Sequence, residues 1–278
     1  MQSSSFRQIA RLVTVDDVCT RFIATLDDSR MVPDVWDWWM TDWCAETGLD
    51  PMEQIALVTT GGVPSGWIGF DMLEGEGPLS TCAERISADM ILTADTPLVA
   101  AIGAFSAKNH PFFLVMKGSS FVGWLSYSDL HKPPLRLCLF AMLMNIEGLL
   151  LDISIADWRR SVAALSPGRV QKALEIYRLR GYSFDKDGTP HGARLLECTT
   201  FVDKLKIMKG NPDAKAAVPA LINKAYRERL EKLRNELAHP GLVERSSLLL
   251  VRTEAWSFIE WAETLEAQLT SLQNRQRQ

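Results

Sequence analysis

Two stretches in the first half of the chain repeat one pattern of apolar and polar positions. IALVTTGGVPSGWIGFDML (residues 55–73) and PFFLVMKGSSFVGWLSYSDL (residues 111–130) each hold an apolar run, a Gly-containing turn, a second run reaching Gly-Trp, and a helix start. Short apolar runs bounded by glycine are strand signals, so each stretch is expected to be a hairpin. Ahead of the second lies ILTADTPLVAAIGAFSAKN (residues 91–109), where Asp95-Thr96-Pro97 marks a helix start and Leu98, Ile102 and Phe105 recur at helical spacing. The second copy thus reads strand, helix, strand, strand, helix, and the first matches at least its later part. That is an internal repeat of roughly 60 residues.

Beyond HKPPL (residues 131–135), read as a linker because two prolines forbid a continuous helix, the pattern turns helical. Helices are expected over 135–151, 155–180, 192–209, 214–239 and 252–273, with Ser166-Pro167-Gly168 splitting the second. Ile222, Tyr226, Leu230, Leu233 and Leu237 form an amphipathic stripe. RGYSFDKDGTPHG (residues 180–192) reads as an exposed loop, because it lacks the ligand spacing and terminal Glu of a calcium loop. LRLCLFAMLMNIEGLLLDI (residues 135–153) is the most apolar segment, yet Arg136, Asn145, Glu147 and Asp152 interrupt it. It is expected to be a buried helix and not a membrane span.

Charge changes the picture more than composition does. The chain is 47% hydrophobic and 23% charged, which fits a globular protein and excludes low-complexity and disordered classes. Residues 1–132 carry 8 basic against 17 acidic side chains, net −9, whereas residues 133–278 carry 22 against 17, net +5. A basic helical half is compatible with a polyanionic partner and equally with solvated helix faces. Five scattered cysteines without Cys-x-x-Cys argue against disulfides or a zinc site and for a reducing, cytoplasmic setting. MQSSSFRQIARLVTVDD has no apolar core of a secretory signal.

On these segments the chain resembles a tandem CBS pair. Gly123-Trp124-Leu125-Ser126-Tyr127-Ser128-Asp129 fits the family signature Gly-h-h-(Ser/Thr)-x-x-Asp, where h is apolar. The first copy departs from it: Gly69 replaces the hydroxyl and Met72 the carboxylate. The resemblance implies an α+β pair of βαββα repeats over 8–132, with a divergent first module at 8–75 and a second at 86–132. It also implies an adenine nucleotide as regulatory ligand, with Gly123, Ser126 and Asp129 at its site. Ser126 and Asp129 equally fit a helix cap, a Ser with an acid three residues on. DVWDWWMTDWC (residues 34–44) does not map onto the family. Its Trp36, Trp38, Trp39 and Trp43 suit base stacking or a dimer contact, and more readily a core or interface, since large rings favour burial.

In the basic half, Arg234, Asn235 and His239 fit the Arg-Asn-x-x-x-His pattern of HEPN domains. The resemblance implies an all-α bundle over 133–275. Asn235 and His239, four apart, share a helix face, and Arg234 reaches the same edge. Pro240 and Gly241 end the helix, so His239 sits where the dipole favours its protonated form. An imidazole there can exchange a proton near neutral pH, and a guanidinium can clamp a phosphate. The resemblance implies a metal-independent endoribonuclease, in which an RNA 2′-hydroxyl attacks the adjacent phosphate to leave a 2′,3′-cyclic phosphate. It also implies a homodimer whose two motifs form one composite site. Glu147, a carboxylate in a very apolar helix, needs a partner and is read as a supporting group.

The expected function is an adenine-nucleotide-regulated ribonuclease acting as a toxin-like or antiviral defence effector. One alternative is a non-catalytic, nucleotide-sensing dimer whose helical half docks RNA or a protein. Another makes the helical half an antitoxin-like or nucleotidyltransferase-associated partner that needs a second protein, an antitoxin or other partner, for activity.

Overall fold

The computed structural model describes residues 12–21, 24–48, 50–108, 110–219, 223–238 and 252–276. The chain divides into two compact units, one spanning Arg11–Lys132 and one built on Pro133–Gln278. The start expected for the first module, residues 8–11, lies outside the described residues.

The N-terminal unit contains two sheets. Strands β1 (Ala24–Asp27), β2 (Ile55–Thr60), β3 (Val63–Gly69) and β4 (Glu84–Arg85) form the first, in that order. Strands β5 (Ile91–Thr93), β6 (Phe112–Lys117) and β7 (Ser120–Ser126) form the second. In each, the opening strand pairs parallel with the next (β1 with β2, β5 with β6), and the following hairpin is antiparallel. A parallel neighbour requires a crossover, supplied by α1 (Val32–Trp38) in the first repeat and α2 (Leu98–Lys108) in the second. Both hairpins carry a bulge at the same place, between Val58 and Thr59 and between Val115 and Met116. The repeat therefore extends over the whole of both copies.

The tryptophan-rich stretch is the crossover of the first repeat. A π turn (Trp39–Trp43) and a short helix (Cys44–Thr47) prolong α1 before Gly48 ends it in the left-handed region at φ 65°. Trp39 and Trp43 are buried against Leu26, Val35, Val58 and Ile68, so the core reading holds for these two rings. Trp36 remains 44% exposed. Residues on β2 and β6 are buried on both faces, which is why the sequence reads there as continuous apolar runs. Ile55, Leu57, Phe112 and Leu114 share a cluster with Trp67 and Trp124, while the intervening Ala56 and Val58 face the α1 side of the first repeat.

The segment leading into each repeat bonds to the other. Val15 N–H donates to Thr96 O, and Leu79 N–H to Arg30 O, both at 2.9 Å. Asp16 N–H to Ala94 O is matched by Ser80 N–H to Asp28 O, and Leu98 N–H to Val13 O by Val32 N–H to Gly77 O. Further along, Thr20 exchanges two backbone bonds with Trp124, and Glu84 pairs with Trp67. These approaches demand glycine. A Cβ on Gly123 would collide with the Thr20 carbonyl, and one on Gly66 would stand 2.7 Å from the Glu84 carbonyl oxygen.

The second unit is helical; its described residues hold no strand beyond an isolated bridge between Phe184 and Pro190. Pro133 and Pro134 open α3 (Pro133–Ala156) instead of forming a linker, since proline lacks only a donor that the first turn does not use. Leu135, Cys138, Leu139, Met142, Leu143, Ile146, Leu150 and Ile153 line the buried face of α3. This is the one described helix long and apolar enough to cross a membrane, and 44% of its apolar window is buried. Leu137 and Met144 on its other side are exposed.

Next come α4 (Trp158–Ala163), α5 (Pro167–Leu179), α6 (Gly192–Glu197), α7 (Phe201–Gly210), α8 (Pro212–Ala217), α9 (Lys224–Ala238) and α10 (Arg252–Gln276). The single helix expected over 192–209 is two. Thr200 starts a new one by accepting from Asp203 N–H, while Asp203 accepts from Thr200 N–H at 3.1 Å. The helix expected over 214–239 is also divided: Asn211 Oδ1 caps α8 through Asp213 and Ala214 N–H, and α8 ends before Val218 and Pro219. Of the amphipathic stripe, Leu230, Leu233 and Leu237 are buried, Ile222 lies outside the described residues, and the Tyr226 side chain is likewise not described. The loop before α6 is tied by Tyr177, whose hydroxyl donates to Ser183 O at 2.6 Å.

Candidate functional site

Strand β7 ends at Ser126, and a single 3-10 turn (Ser128–His131) returns Asp129 beneath it. The Asp129 carboxylate is buried, 2% exposed as a residue. Its Oδ2 accepts from Ser126 N–H at 2.7 Å and from the Ser126 hydroxyl at 3.0 Å. Its Oδ1 accepts from the Thr20 hydroxyl at 2.8 Å and meets Lys132 Nζ at 2.6 Å. Only the acid's half of the expected cap is present: Asp129 accepts from Ser126, but no side chain among the described residues accepts from the N–H groups of the turn. Both oxygens face the chain's own donors, so a ribose diol would have to displace Thr20 or Lys132 to reach them. Gly123 faces the backbone of Thr20. In the first repeat the same geometry survives with weaker chemistry: Gly69 N–H donates to Met72 Sδ at 3.2 Å, so a thioether replaces the carboxylate.

A cavity of about 350 Å³ opens where β3 and β7 end. Its walls are Ile55, Trp67, Phe112, Trp124 and Tyr127, and its polar groups come from Gln54, Asp71, Ser126 and Ser128. Trp67 and Phe112 meet edge to face at 4.7 Å between centroids. The Trp67 Nε1 is buried without a hydrogen-bond partner among the described residues. A planar ligand would gain aromatic contact here. Of the three residues named for the nucleotide, Ser126 alone lines this space. Gln54, Trp67, Asp71 and Tyr127 line it as well; Trp67 and Asp71 belong to the first Gly-Trp motif and Tyr127 to the second.

In the helical unit, Arg234 and Asn235 lie in the last turn and a half of α9, and the Arg234 Nη1 donates to Asn235 Oδ1 at 3.4 Å. Burial of Leu230, Leu233 and Leu237 turns Asn235 outward and leaves Arg234 half-buried. The Arg234 Nε is buried with no partner among the described residues. His239 lies outside them.

Glu147 on α3 has the partner its burial requires. Lys204 Nζ lies 2.9 Å from its Oε1 and also donates to Thr199 O at 2.8 Å. The Lys204 side chain is 4% exposed, so this pair joins α3 to α7 in the interior. His110 bonds to Asp89 at 3.0 Å, and His191 precedes α6. No group of three metal-ligating side chains occurs among the described residues.

No protein-family model matches the chain. No curated protein matches it in sequence. Among solved structures it is similar to an uncharacterized conserved protein from Pyrococcus horikoshii, at 14% identity and TM-score 0.35, over 42% of this chain and 89% of that one. It is similar to a hemolysin-like protein containing a CBS domain from Oenococcus oeni PSU, at 14% identity and TM-score 0.34, over 45% of this chain and 95% of that one. A third is the CBS domains of a transcriptional regulator from Streptococcus pneumoniae, at 11% identity and TM-score 0.33, over 42% and 96%. On its own topology, two strand–helix–hairpin repeats with exchanged leading segments, the N-terminal region resembles CBS domains.

Proposed function

We propose that the N-terminal repeats bind an adenine nucleotide and that the helical unit is a HEPN-type, RNA-cleaving domain under their control, toxin-like or defensive in role. The cavity between the Gly-Trp strands carries the first half of this reading. It offers aromatic walls for a base and an exposed carboxylate, Asp71, for a ribose diol. The ligand contact moves accordingly from Asp129 to Asp71 and Ser128, with Ser126 kept.

For cleavage, the supporting observation is Arg234, whose buried Nε–H is unpaired among the described residues at the end of α9. In the proposed step the RNA 2′-hydroxyl attacks the adjacent phosphorus and the 5′-oxygen leaves. His239 takes the 2′-hydroxyl proton and passes it to the 5′-oxygen as the P–O5′ bond breaks, Arg234 holds the non-bridging oxygens, and Asn235 positions the two. No step is assigned to a metal. A second copy of the chain supplies the facing motif, so the working form is a homodimer. Nucleotide binding shifts the activity only through differential affinity for two arrangements of the protein.

The test is RNA cleavage in chelator by wild type, His239→Ala and Arg234→Ala. Loss of about 10²-fold or more in His239→Ala is expected for removal of a general acid–base. Equal cleavage by that variant would end the catalytic reading. For the sensor, AMP, ADP or ATP at millimolar concentration should raise the melting temperature, and Trp67→Ala should abolish the rise. No shift with any of the three removes the nucleotide.

A further inference from the structure

A second cavity, of about 710 Å³, lies wholly within the helical unit. Three helices furnish it with cations: Arg169 from the start of α5, Lys206 and Lys209 from α7, and Lys224 and Arg227 from α9. Lysines 206 and 209, three apart on one helix, share a face, as do residues 224 and 227. Two acids, Glu228 and Glu231, oppose these five cations.

The acids nearby offset only part of the charge, and the excess rests on Lys206 and Lys209. Glu228 lies 3.4 Å from Lys224, but both side chains are largely exposed, so the pair is weak. Asp203 Oδ1, buried and accepting from no other donor among the described residues, lies 3.4 Å from Arg169 and offsets that cation, while its Oδ2 accepts from the Thr200 N–H and hydroxyl. Lys206 and Lys209 form no ion pair with any described residue. Cations gathered in one concavity repel one another, and the field is strongest for an anion entering it.

We infer that this cavity is the track for the phosphodiester backbone of single-stranded RNA. It is too large for one phosphate, and its α9 wall runs from Lys224 to Glu231, three residues short of Arg234. Arg227 and Arg234 are seven residues apart on one helix face, about 10 Å along the axis at 1.5 Å per residue. A strand lying over Lys206, Lys209 and Arg227 is thereby directed at the Arg234 guanidinium. The inference rests on the proposed reading of Arg234 as a phosphate ligand, but it is separable from cleavage.

The experiment uses the full-length protein and a fluorescent single-stranded RNA oligonucleotide, with anisotropy read across a salt series. Each phosphate contact on a single strand contributes about −0.7 to the slope of log K against log salt. Lys206→Ala/Lys209→Ala should make the slope shallower by roughly 1.4 and weaken low-salt binding at least about tenfold. The Lys206→Arg/Lys209→Arg protein should bind as wild type does. Both lysines are exposed, so all three proteins should melt alike.

An unchanged affinity and slope in the alanine variant, or no RNA binding by wild type, overturns the track. So does tighter binding of polyglutamate than of RNA, which would make the cavity a site for acidic protein segments. Wild type that binds RNA through these lysines but never cuts it keeps the track and removes the nuclease. Cleavage with an unaltered KM in the alanine variant does the reverse.

Discussion

The two N-terminal repeats share a backbone scaffold and differ in the side chains at its ends. Corner bonds, parallel strand, bulge and glycine approach recur in both. What differs is the cap after the Gly-Trp strand: a buried carboxylate with four donors in the second repeat, a methionine sulfur with one in the first. The crossover differs too. Trp39 and Trp43 fill the first core, whereas Phe105 against Phe113 fills the second. Backbone pairing thus sets the architecture, while polar chemistry has been concentrated on one side.

The largest effect expected from this comparison is in the cores. Trp39→Ala and Phe105→Ala should each destabilise the N-terminal unit by about 3–5 kcal/mol, measured by denaturant unfolding. A loss below about 1 kcal/mol in one of them would show that the scaffold does not depend equally on its two crossovers. Next is the cap. Asp129→Ala should cost about 2–3 kcal/mol because it strands charged and hydroxyl donors, and Met72→Ala should cost less. Equal losses would erase the asymmetry. Gly123→Ala should cost about 1–3 kcal/mol through forced displacement of Thr20, and more than Gly66→Ala, where the approach is looser.

The smallest effect concerns pH. A hydrogen bond from Arg21, assisted by Lys117, holds the Asp16 carboxyl below the usual carboxylate range. Its stabilisation is present above the unfolded value, near about 4, and fades as pH falls through the depressed folded value. Ser80 occupies the equivalent place in the other leading segment and carries no charge. Asp16→Ser should lower the melting temperature slightly at pH 7 and match wild type once the acid limb is passed. A gap persisting at low pH would assign the effect to something other than this carboxylate.

Local signals were legible in the sequence. Both hairpins, the strand at 91–93 and helix α2 follow from apolar runs, glycines and a proline. The first repeat's opening strand was not legible, because Ala24–Asp27 is short and takes its identity from its neighbour β2. Nor was the exchange of leading segments, made by backbone bonds across some eighty residues between Val15 and Thr96. The Trp run resisted assignment because a π turn breaks the spacing that marks a helix face. At the candidate sites, the Ser126–Asp129 contact was readable as spacing, but the donors from Thr20 and Lys132 that occupy the carboxylate were not. The Glu147 charge demanded a partner without naming Lys204, which comes from 57 residues away.

The exchanged leads make the two repeats inseparable. Each strand–helix corner is finished by a segment belonging to its sibling, so neither could be excised as a working part. A chain severed between Leu73 and Gly77 would leave two fragments that each lack half of their own closure. Any force prying the sheets apart at one end must also pull on a thread anchored in the opposite repeat.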